Sequence, residues 1–377
     1  MITRKLSMLE AVCLIAGAGI GGGVMALPYL AAKTGLLPAI IIMLVAYAVT
    51  AVLHIMVAEL SIRTDSSSEL LTIFTKHLFR GKSVLRAAFY ILMAVTLICN
   101  LAAYIAGAGG ILTELLGLPA VAAKFLFFIC AAVVVALGLK RMALNETAAL
   151  AIKLIIIIFL AYGTFNLNTL LPFEFPQLKP MPLLAFYGMA MFSLSSLFAV
   201  PQAASGLGGE KARVKTAVVL GLLINLAVMI TVIVCTLICS RPVTEVAIVG
   251  WSAALGGFTG VLGSVFIVLA MLGTFWSISL QLSDMTKEYF RAGRFFAWLI
   301  ATAPSLLLAL LPTVGFLSLM QIAGGATAVV VACMAVPAYR NAVRGTDGLL
   351  LGGFGKSLAL CGGVIVMYLL MAAASLL

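Results

Sequence analysis

The stretch "AGAGIGGGVMALPY", residues 16–29, lies inside a long apolar run and carries five glycines: Gly17, Gly19, Gly21, Gly22 and Gly23. Each glycine inside a helix costs roughly 0.5–1 kcal/mol relative to alanine, because it loses more conformational freedom on folding. The chain therefore weakens its helix at this one place. Two explanations are open: a break that lines a site, or a close-packing face, since Gly19 and Gly23 have the GxxxG spacing.

The composition places this stretch in a membrane, because 64% hydrophobic and 9% charged residues cannot cover a soluble domain with polar surface. A helix needs about 20 apolar residues to cross about 30 Å of hydrocarbon, and the runs lack the period-2 alternation of barrel strands. We predict an all-α integral membrane protein with eleven transmembrane helices, over about 8–32, 37–61, 86–114, 120–138, 147–168, 182–205, 214–240, 258–283, 295–311, 315–338 and 352–376.

The basic residues predict the orientation of these helices. With the N-terminus in the cytoplasm, the outer side receives only four of the 23 Lys and Arg residues: Lys33, Lys124, Lys179 and Arg241. Such an excess of inner positive charge is the usual topology signal. We expect a cytoplasmic N-terminus and a periplasmic or extracellular C-terminus. The net charge of +11 then reflects topology and gives no reason to propose nucleic-acid binding.

A second irregular segment lies in the sixth run, where "MFSLSSLFAVPQAAS", residues 191–205, crowds serines ahead of Pro201. In lipid, a broken helix survives only where it is buried in protein or lines a cavity. Two interrupted helices that each open a set of five are typical of inverted-repeat secondary transporters with a midplane site. We predict a single transporter domain over 1–377, with repeats at about 8–168 and 182–338 and an extra helix at about 352–376.

The two breaks suit a zwitterion. The N-terminus of a half-helix offers free N–H groups to a carboxylate, and the C-terminal end of a half-helix offers carbonyl oxygens to an ammonium group. No charged side chain is needed for either contact, although other small dipolar solutes are served equally. The candidate carboxylate contacts are Gly21, Gly22 and Gly23, and the candidate ammonium contacts are Gly17, Ala18, Gly19, Phe192 and Ser193.

Four motifs carry a resemblance to a known family: "GAGIGGGVMALP" in the first run, "VAELSIR" at 57–63, "AAYIAGAGGIL" at 102–112 and "ALAIKLIIIIF" at 149–159. They resemble helices of the amino acid/auxin permease group, in particular the bacterial hydroxy and aromatic amino acid permeases of the tyrosine/tryptophan type. That group is part of the amino acid, polyamine and organocation superfamily. The resemblance implies a LeuT-like 5+5 inverted repeat with broken helices 1 and 6, in a bacterial inner membrane.

The resemblance also implies roles for side chains in the sixth run and the third. Phe192 corresponds to an aromatic gate and Phe198 to a pocket wall, although ordinary interhelical packing explains both rings equally well. Relatives usually carry a glycine and a histidine where this chain has Ser195 and Leu197. The expected substrate is therefore a neutral, apolar or aromatic, L-amino acid. The remaining implied contacts are Ser193, Ser195 and Tyr104.

The coupling ion is the next inference from the resemblance. A lysine at the position of Lys153 implies a built-in replacement for sodium, set against the carbonyls of Ala18 and Gly19 and titrating as a proton-coupling group. The alternative is a lipid-facing lysine that snorkels to the interface. "GTFWSISLQ", residues 273–281, lacks adjacent hydroxyls, so a sodium site built from Ala18, Gly19, Thr274 and Ser277 is incomplete.

Two further residues have competing explanations. His54, inside the second run, is a candidate proton relay. Glu59 is another, but pairing with Arg63 one turn later explains it more simply. We also expect a short outer helix within 243–257.

The sequence thus predicts a proton symporter that imports a neutral L-amino acid by alternating access. The alternative is a sodium-coupled or uncoupled transporter or exchanger of another small solute, such as a nucleobase. An enzyme is not expected, because two histidines and few intramembrane acids supply no catalytic cluster. The seven cysteines are scattered and predict neither metal nor cofactor. The partners are the amino acid, a proton or sodium ion and lipid; no feature reports the oligomeric state.

Overall fold

A computed structural model describes residues 6–65, 69–137, 139–167, 170–172, 176–244, 246–311, 315–345 and 347–375. All regular secondary structure within these ranges is helical, so the predicted all-α class is confirmed. The α-helices, in chain order, are α1 (Met8–Gly19), α2 (Gly23–Thr34), α3 (Leu36–Arg63), α4 (Leu70–Phe74), α5 (Ser83–Leu116), α6 (Ala120–Leu137), α7 (Leu139–Phe165), α8 (Pro180–Ser193), α9 (Ala199–Gly206), α10 (Lys211–Cys239), α11 (Ala247–Leu255), α12 (Thr259–Phe290), α13 (Arg294–Ala309), α14 (Phe316–Val330), α15 (Val336–Val343) and α16 (Leu358–Ala374).

The described residues include six continuous helical stretches that are long and apolar enough to cross a bilayer, one of which joins α14 and α15. The bent pair α1 and α2 gives a seventh if the two helices form one span. They indicate a multi-pass membrane protein. Three more predicted runs contain shorter apolar helices, Ala120–Ala136, Arg294–Ala309 and Leu358–Ala374, below the about 20 residues of a typical span. The count of eleven crossings therefore stays a prediction. Residues 243–257 contain α11, as expected for a helix in that loop.

The predicted first break is confirmed. Helix α1 ends at Gly19, and Ile20 leaves the helical region with φ −79° and ψ 75°. Helix α2 begins at Gly23, and its axis is bent by 52° from that of α1. The glycines of the opening stretch thus stand where the chain changes direction.

The predicted second break lies between α8 and α9. Helix α8 ends at Ser193, and α9 begins at Ala199 after five residues that are not helical. Pro201 is the third residue of α9. Proline is tolerated in the first turn of a helix because the N–H groups there have no intrahelical acceptor. The proline therefore helps to start the second half-helix without kinking it.

Helix α1 lies at the centre of the fold. It packs against α7, α9, α10 and α12, while α2 packs mainly against α8 and α10. The contact with α10 is close, because a Cβ on Gly221 would overlap Ile15 of α1. The break at the end of α1 is thereby surrounded by protein on several sides.

At the predicted cytoplasmic end of α3, the Glu59 carboxylate accepts from Arg63 Nε over 2.7 Å. Its second oxygen accepts from the backbone N–H of Leu350 over 2.7 Å. The pairing of Glu59 with Arg63 is therefore confirmed. The carboxylate also ties the end of α3 to the segment before α16.

The close contact between α1 and α10 generates the first prediction. Gly221→Ala places a methyl group against Ile15, and overpacking of this kind typically costs about 1–3 kcal/mol. We expect a lower melting temperature of the purified protein in detergent. Gly110→Ala is the matched control, because a Cβ there meets nothing within 4 Å and alanine favours a helix. Equal melting temperatures for the two variants would contradict this packing.

Candidate functional site

Side chains from other helices bind two of the last four carbonyls of α1, and a side chain of the second break binds the carbonyl just before these four; the Ala16 and Gly19 carbonyls accept from the backbone N–H groups of Ile20 and Gly21. The final turn of a helix leaves carbonyls without intrahelical donors, and in a bilayer these must find partners within the protein. The three bonds run from Ser196 Oγ to the Ile15 carbonyl at 2.8 Å, from Lys153 Nζ to the Gly17 carbonyl at 3.4 Å, and from Thr274 Oγ1 to the Ala18 carbonyl at 3.3 Å.

The five glycines of the first break allow close approach by side chains. None of them has a positive φ, so they are not required for a left-handed backbone. A Cβ at each would instead overlap or crowd a side chain from a different helix. In chain order from Gly17 to Gly23, those neighbours are Glu146, Asn225, Thr274, Tyr104 and Ser193, with Met320 and Phe316 also against Gly22.

His54 of α3 holds the second break. Its ring is fully buried, and Nε2 accepts from the backbone N–H of Ser196 over 2.8 Å. Because Nε2 is an acceptor, the hydrogen is on Nδ1, which donates to the Thr50 carbonyl over 2.7 Å. Both ring nitrogens thus bind backbone. This geometry supports a positioning role for His54 and does not place it in a proton relay.

Asn225 of α10 connects the two breaks. Its side-chain amide donates to the Ser193 carbonyl over 3.3 Å, at the end of α8. The same amide fills the space that a Cβ on Gly19 would take. One side chain therefore touches the C-terminal ends of both first half-helices.

A cavity of about 30 Å³ lies between the two breaks. That is room for water and not for an amino acid, so the central site is closed in this conformation. The residues that line it are Ala18, Gly19, Gly21, Gly22, Gly23, Asn100, Tyr104, Phe192, Ser193, Ser195, Ser196, Phe198, Ala199, Thr274, Ser277, Ile278 and Thr327.

The cavity wall has unused hydrogen-bonding capacity. Asn100 Oδ1, Ser193 Oγ and Ser277 Oγ are buried and have no hydrogen-bond partner within the described ranges. The Tyr104 hydroxyl lies within hydrogen-bonding reach of the Gly22 backbone and the Thr274 side chain. Buried polar groups are normally paired, so the three unpaired atoms are candidate ligand contacts.

Phe192 separates this cavity from a larger one. The second cavity has a volume of about 390 Å³ and extends between α2, α8, α14 and α16 toward Lys33, on the predicted outer side. Phe192 lines both cavities, and its ring packs against Gly324 of α14. Its position fits the predicted gate.

Lys153 is wholly buried. Its Nζ lies 2.9 Å from Glu146 Oε1, and the two side chains are 0% and 2% exposed. This burial excludes a lysine that snorkels to the interface. The carbonyl it binds is that of Gly17, one residue before the expected Ala18 and Gly19. Lys153 and Gly17 therefore lie beside the cavity and do not line it.

The α12 hydroxyls divide into two groups. Thr274 and Ser277 line the cavity together with Ala18 and Gly19, so the four predicted ion-site residues are neighbours. Thr274 Oγ1 also lies 3.2 Å from the Ala270 carbonyl of its own helix. Ser279 does not line the cavity and donates to the Phe275 carbonyl over 2.6 Å. Occupation of this place by sodium stays a prediction.

Most of the predicted substrate contacts are brought together at the cavity, and their binding roles stay predictions. Sequence analysis missed Asn100, Glu146, Asn225 and Thr327, and assigned no role to Ser196. A signal existed for two of them. Asn100 lies four residues before Tyr104, on the same helix face. Glu146 lies seven residues, about two helical turns, before Lys153.

Comparison with a family model places this chain beside known transporters. The model described as the tryptophan/tyrosine permease family matches residues 4–369. No curated protein matches the chain by sequence comparison.

Solved structures share the fold at low sequence identity. MhsT in complex with L-phenylalanine has a TM-score of 0.70 and 16% identity, covering 100% of each chain. A mutant manganese transporter from Eremococcus coleocola has a TM-score of 0.68 and 13% identity, over 99% of this chain and 88% of that one. Mhp1, a nucleobase-cation-symport-1 family transporter with bromovinylhydantoin bound, has a TM-score of 0.66 and 13% identity, over 99% and 91%. These likenesses support the LeuT-like fold.

The His54 contacts generate the second prediction. His54→Leu leaves the Ser196 N–H and the Thr50 carbonyl unpaired, and each lost partner costs about 1–3 kcal/mol. We expect a lower melting temperature and weaker ligand binding. His54→Gln retains an acceptor for the Ser196 N–H and should recover part of both losses. If leucine and glutamine variants behave alike in melting and ligand-binding assays, His54 does not hold the break.

Proposed function

This chain belongs to the tryptophan/tyrosine permease family, and from that premise we propose that it imports a neutral, apolar or aromatic L-amino acid by proton symport. The family and the fold neighbours indicate a transporter and not an enzyme. The observation that carries the proposal is the pair of broken helices facing one closed cavity. Their free backbone groups lie where a zwitterion is bound in the proposed mechanism.

The lining of the cavity supports a neutral substrate. Among the described residues, it contains no acidic, basic, histidine or cysteine side chain. The backbone N–H groups of Gly22, which the Tyr104 hydroxyl approaches, and of Gly23 are proposed to bind a carboxylate, and the Ser193 hydroxyl offers a further contact. MhsT, a fold neighbour, was solved with L-phenylalanine. A divalent metal cargo lacks carboxylate, imidazole and thiolate ligands here.

The two cavities support alternating access. Phe192 stands between the closed central cavity and the larger cavity on the proposed outer side. Rotation of its ring would join them and admit substrate. The inner side would open by displacement of α1. In the closed conformation, the segment before α1 is held by a hydrogen bond from the Leu6 N–H to the Gly206 carbonyl at 2.7 Å, and this bond would break on opening.

Lys153 supports proton coupling. Its ammonium group binds the carbonyl end of α1, and a cation there is favoured by the helix dipole. In the proposed mechanism it replaces the sodium ion that braces the first break. Proton binding is coupled through Lys153 to the position of α1.

The architecture proposed with this function is a single domain with two inverted repeats, 8–168 and 182–338, and an added helix at 352–376. Because eleven is an odd number of crossings, the two termini lie on opposite sides of the membrane. The excess of basic residues on the inner side then puts the N-terminus in the cytoplasm and the C-terminus outside. The bacterial inner membrane is the proposed location, because the sequence motifs resemble those of bacterial permeases.

Sodium-coupled or uncoupled transport of another small solute, such as a nucleobase, is the second candidate. Thr274 and Ser277 lie with Ala18 and Gly19 at the cavity, and Ser277 Oγ is unpaired within the described ranges. Mhp1 is a nucleobase-cation symporter by its description.

The third prediction tests the proposal by uptake of labelled L-amino acids into proteoliposomes with a pH gradient, acidic outside, with a sodium gradient, or with neither. We expect one or more neutral amino acids to accumulate with the pH gradient alone. Lys153→Ala should abolish accumulation while exchange across the membrane continues, because the substrate contacts lie elsewhere. Lys215→Ala, at an exposed position of α10, is the matched control.

Accumulation that requires sodium, or that survives Lys153→Ala, would contradict proton symport through Lys153. Competition by nucleobases without competition by amino acids would favour the second candidate.

A further inference from the structure

Glu146 and Lys153 form an isolated ion pair below the central cavity. The other ion pairs seen in the described residues are Glu59–Arg63, Asp65–Lys76, Arg86–Glu288, Glu210–Arg213 and Asp347–Lys356, and each has at least one side chain that is 19% or more exposed. Both residues are on α7, seven positions apart. Side chains on a helix lean toward its N-terminus, so Lys153 reaches back to Glu146. The pair is built into one helix and does not depend on docking of a second one.

The carboxylate is enclosed by two glycines. A Cβ on Gly17 of α1 or on Gly273 of α12 would overlap the Glu146 carboxylate. The next residues, Ala18 and Thr274, line the central cavity. On α1 and on α12, the residue that contacts Glu146 is therefore the immediate neighbour of a residue that lines the cavity. Glu146 lies just outside the cavity and is covered by α1.

The two oxygens of the carboxylate differ. Oε1 accepts from Lys153 Nζ at 2.9 Å, whereas Oε2 is buried and has no hydrogen-bond partner within the described ranges. A buried carboxylate is stable only when it is paired and fully hydrogen-bonded. Oε2 is thus an unfilled site for a proton.

The end of α1 determines which member of the pair becomes neutral. Loss of a proton from Lys153 would leave a carboxylate beside the negative end of the α1 dipole. Gain of a proton by Glu146 leaves an ammonium group that still binds the Gly17 carbonyl. The α1 dipole therefore favours an ammonium group over a neutral amine at Lys153. We propose that Glu146 Oε2 carries the coupling proton, so that Lys153 stays a cation throughout the cycle; this rests on the proposed proton symport.

The proton balance is simple. A hydronium ion on the acidic side gives its proton to Oε2: one O–H bond of hydronium breaks, an O–H bond to Oε2 forms, water is released and the carboxylate becomes a neutral acid. The Lys153 ammonium group, released from its counter-charge, binds the α1 carbonyls more tightly, as a sodium ion would. Displacement of α1 then uncovers Glu146 on the other side, where Oε2 returns the proton to water.

The titratable and charged groups around the pair come from several helices. On α1, Cys13 and Glu10 face this region, and the Thr147 side chain is hydrogen-bonded to Cys13. On α12 the contact is Gly273. Helices α6, α10 and α11 also pack against α7. Their described basic groups are engaged or exposed: Lys124 binds the Ala309 carbonyl, Lys211 the Gly348 carbonyl and Arg213 Glu210, and Lys215 is exposed.

The fourth prediction uses Glu146→Gln, which imitates the protonated acid. Counterflow of a labelled mixture of L-phenylalanine, L-tyrosine and L-tryptophan should continue, because it needs no net proton movement. Accumulation driven by the pH gradient should be lost, together with the pH dependence of the apparent affinity. Glu114→Gln, at an exposed position near the end of α5, is the matched control and should behave as wild type.

A second readout does not depend on transport. In an infrared pH titration of the purified protein, all carboxyl groups that bind a proton contribute to the carboxylic-acid C=O band on acidification. Glu146→Gln should remove one component of this band that wild type and Glu114→Gln both retain. If the glutamine variant does not fold, Glu146→Asp carries the test. Its shorter carboxylate should keep proton-driven accumulation but shift its pH dependence and the band.

Two results would overturn the assignment to Glu146 and leave proton symport intact. One is accumulation at the wild-type level in Glu146→Gln, and the other is an infrared band in Glu146→Gln or Glu146→Asp that is unchanged from wild type. Failure of wild type to accumulate substrate with a pH gradient would overturn proton symport itself. The infrared titration would then still decide whether Glu146 binds a proton.

Discussion

The carbonyl end of α1 is the constraint on which the rest of this structure depends. A helix that stops inside the bilayer exposes backbone oxygens that no water can satisfy, and each must be paired within the protein. Ser196, Lys153 and Thr274 provide the donors, from the second break, from α7 and from α12. The half-helix is thus stable only while these three elements surround it.

The same constraint explains the glycines. A side chain can reach the backbone of α1 and α2 only if no Cβ is in its way, and a different neighbour fills the space beside each glycine. The break and the close-packing face, which are alternatives for the sequence, are therefore one feature. The helices that touch here do so through polar side chains as well as through apolar packing.

The two breaks are also joined to each other. Ser196 belongs to the second break and bonds to α1, while His54 and Asn225 bind the backbone of the second break. A movement of either half-helix must therefore change hydrogen bonds at both. In a bilayer, such bonds are exchanged and not simply lost, because unpaired groups are costly. A transporter that couples a substrate to an ion needs both ligands to control the same conformational change. Hydrogen bonds that join the two breaks meet this physical requirement.

The sequence alone determined the helical class, the membrane location and the position of both breaks. Length, composition and local runs such as residues 16–29 and 191–205 are sufficient for these, because the bilayer fixes helix length and backbone pairing for every chain. It also brought Tyr104, Phe192 and Ser193 to one site through the resemblance. Only the tertiary structure decided that Glu146 pairs with Lys153, that the bonded carbonyl is that of Gly17, and that His54 binds the Ser196 backbone. Those contacts depend on the rotation of each helix about its axis and on the distance between helices. Both quantities are determined by packing between side chains that are far apart in the sequence.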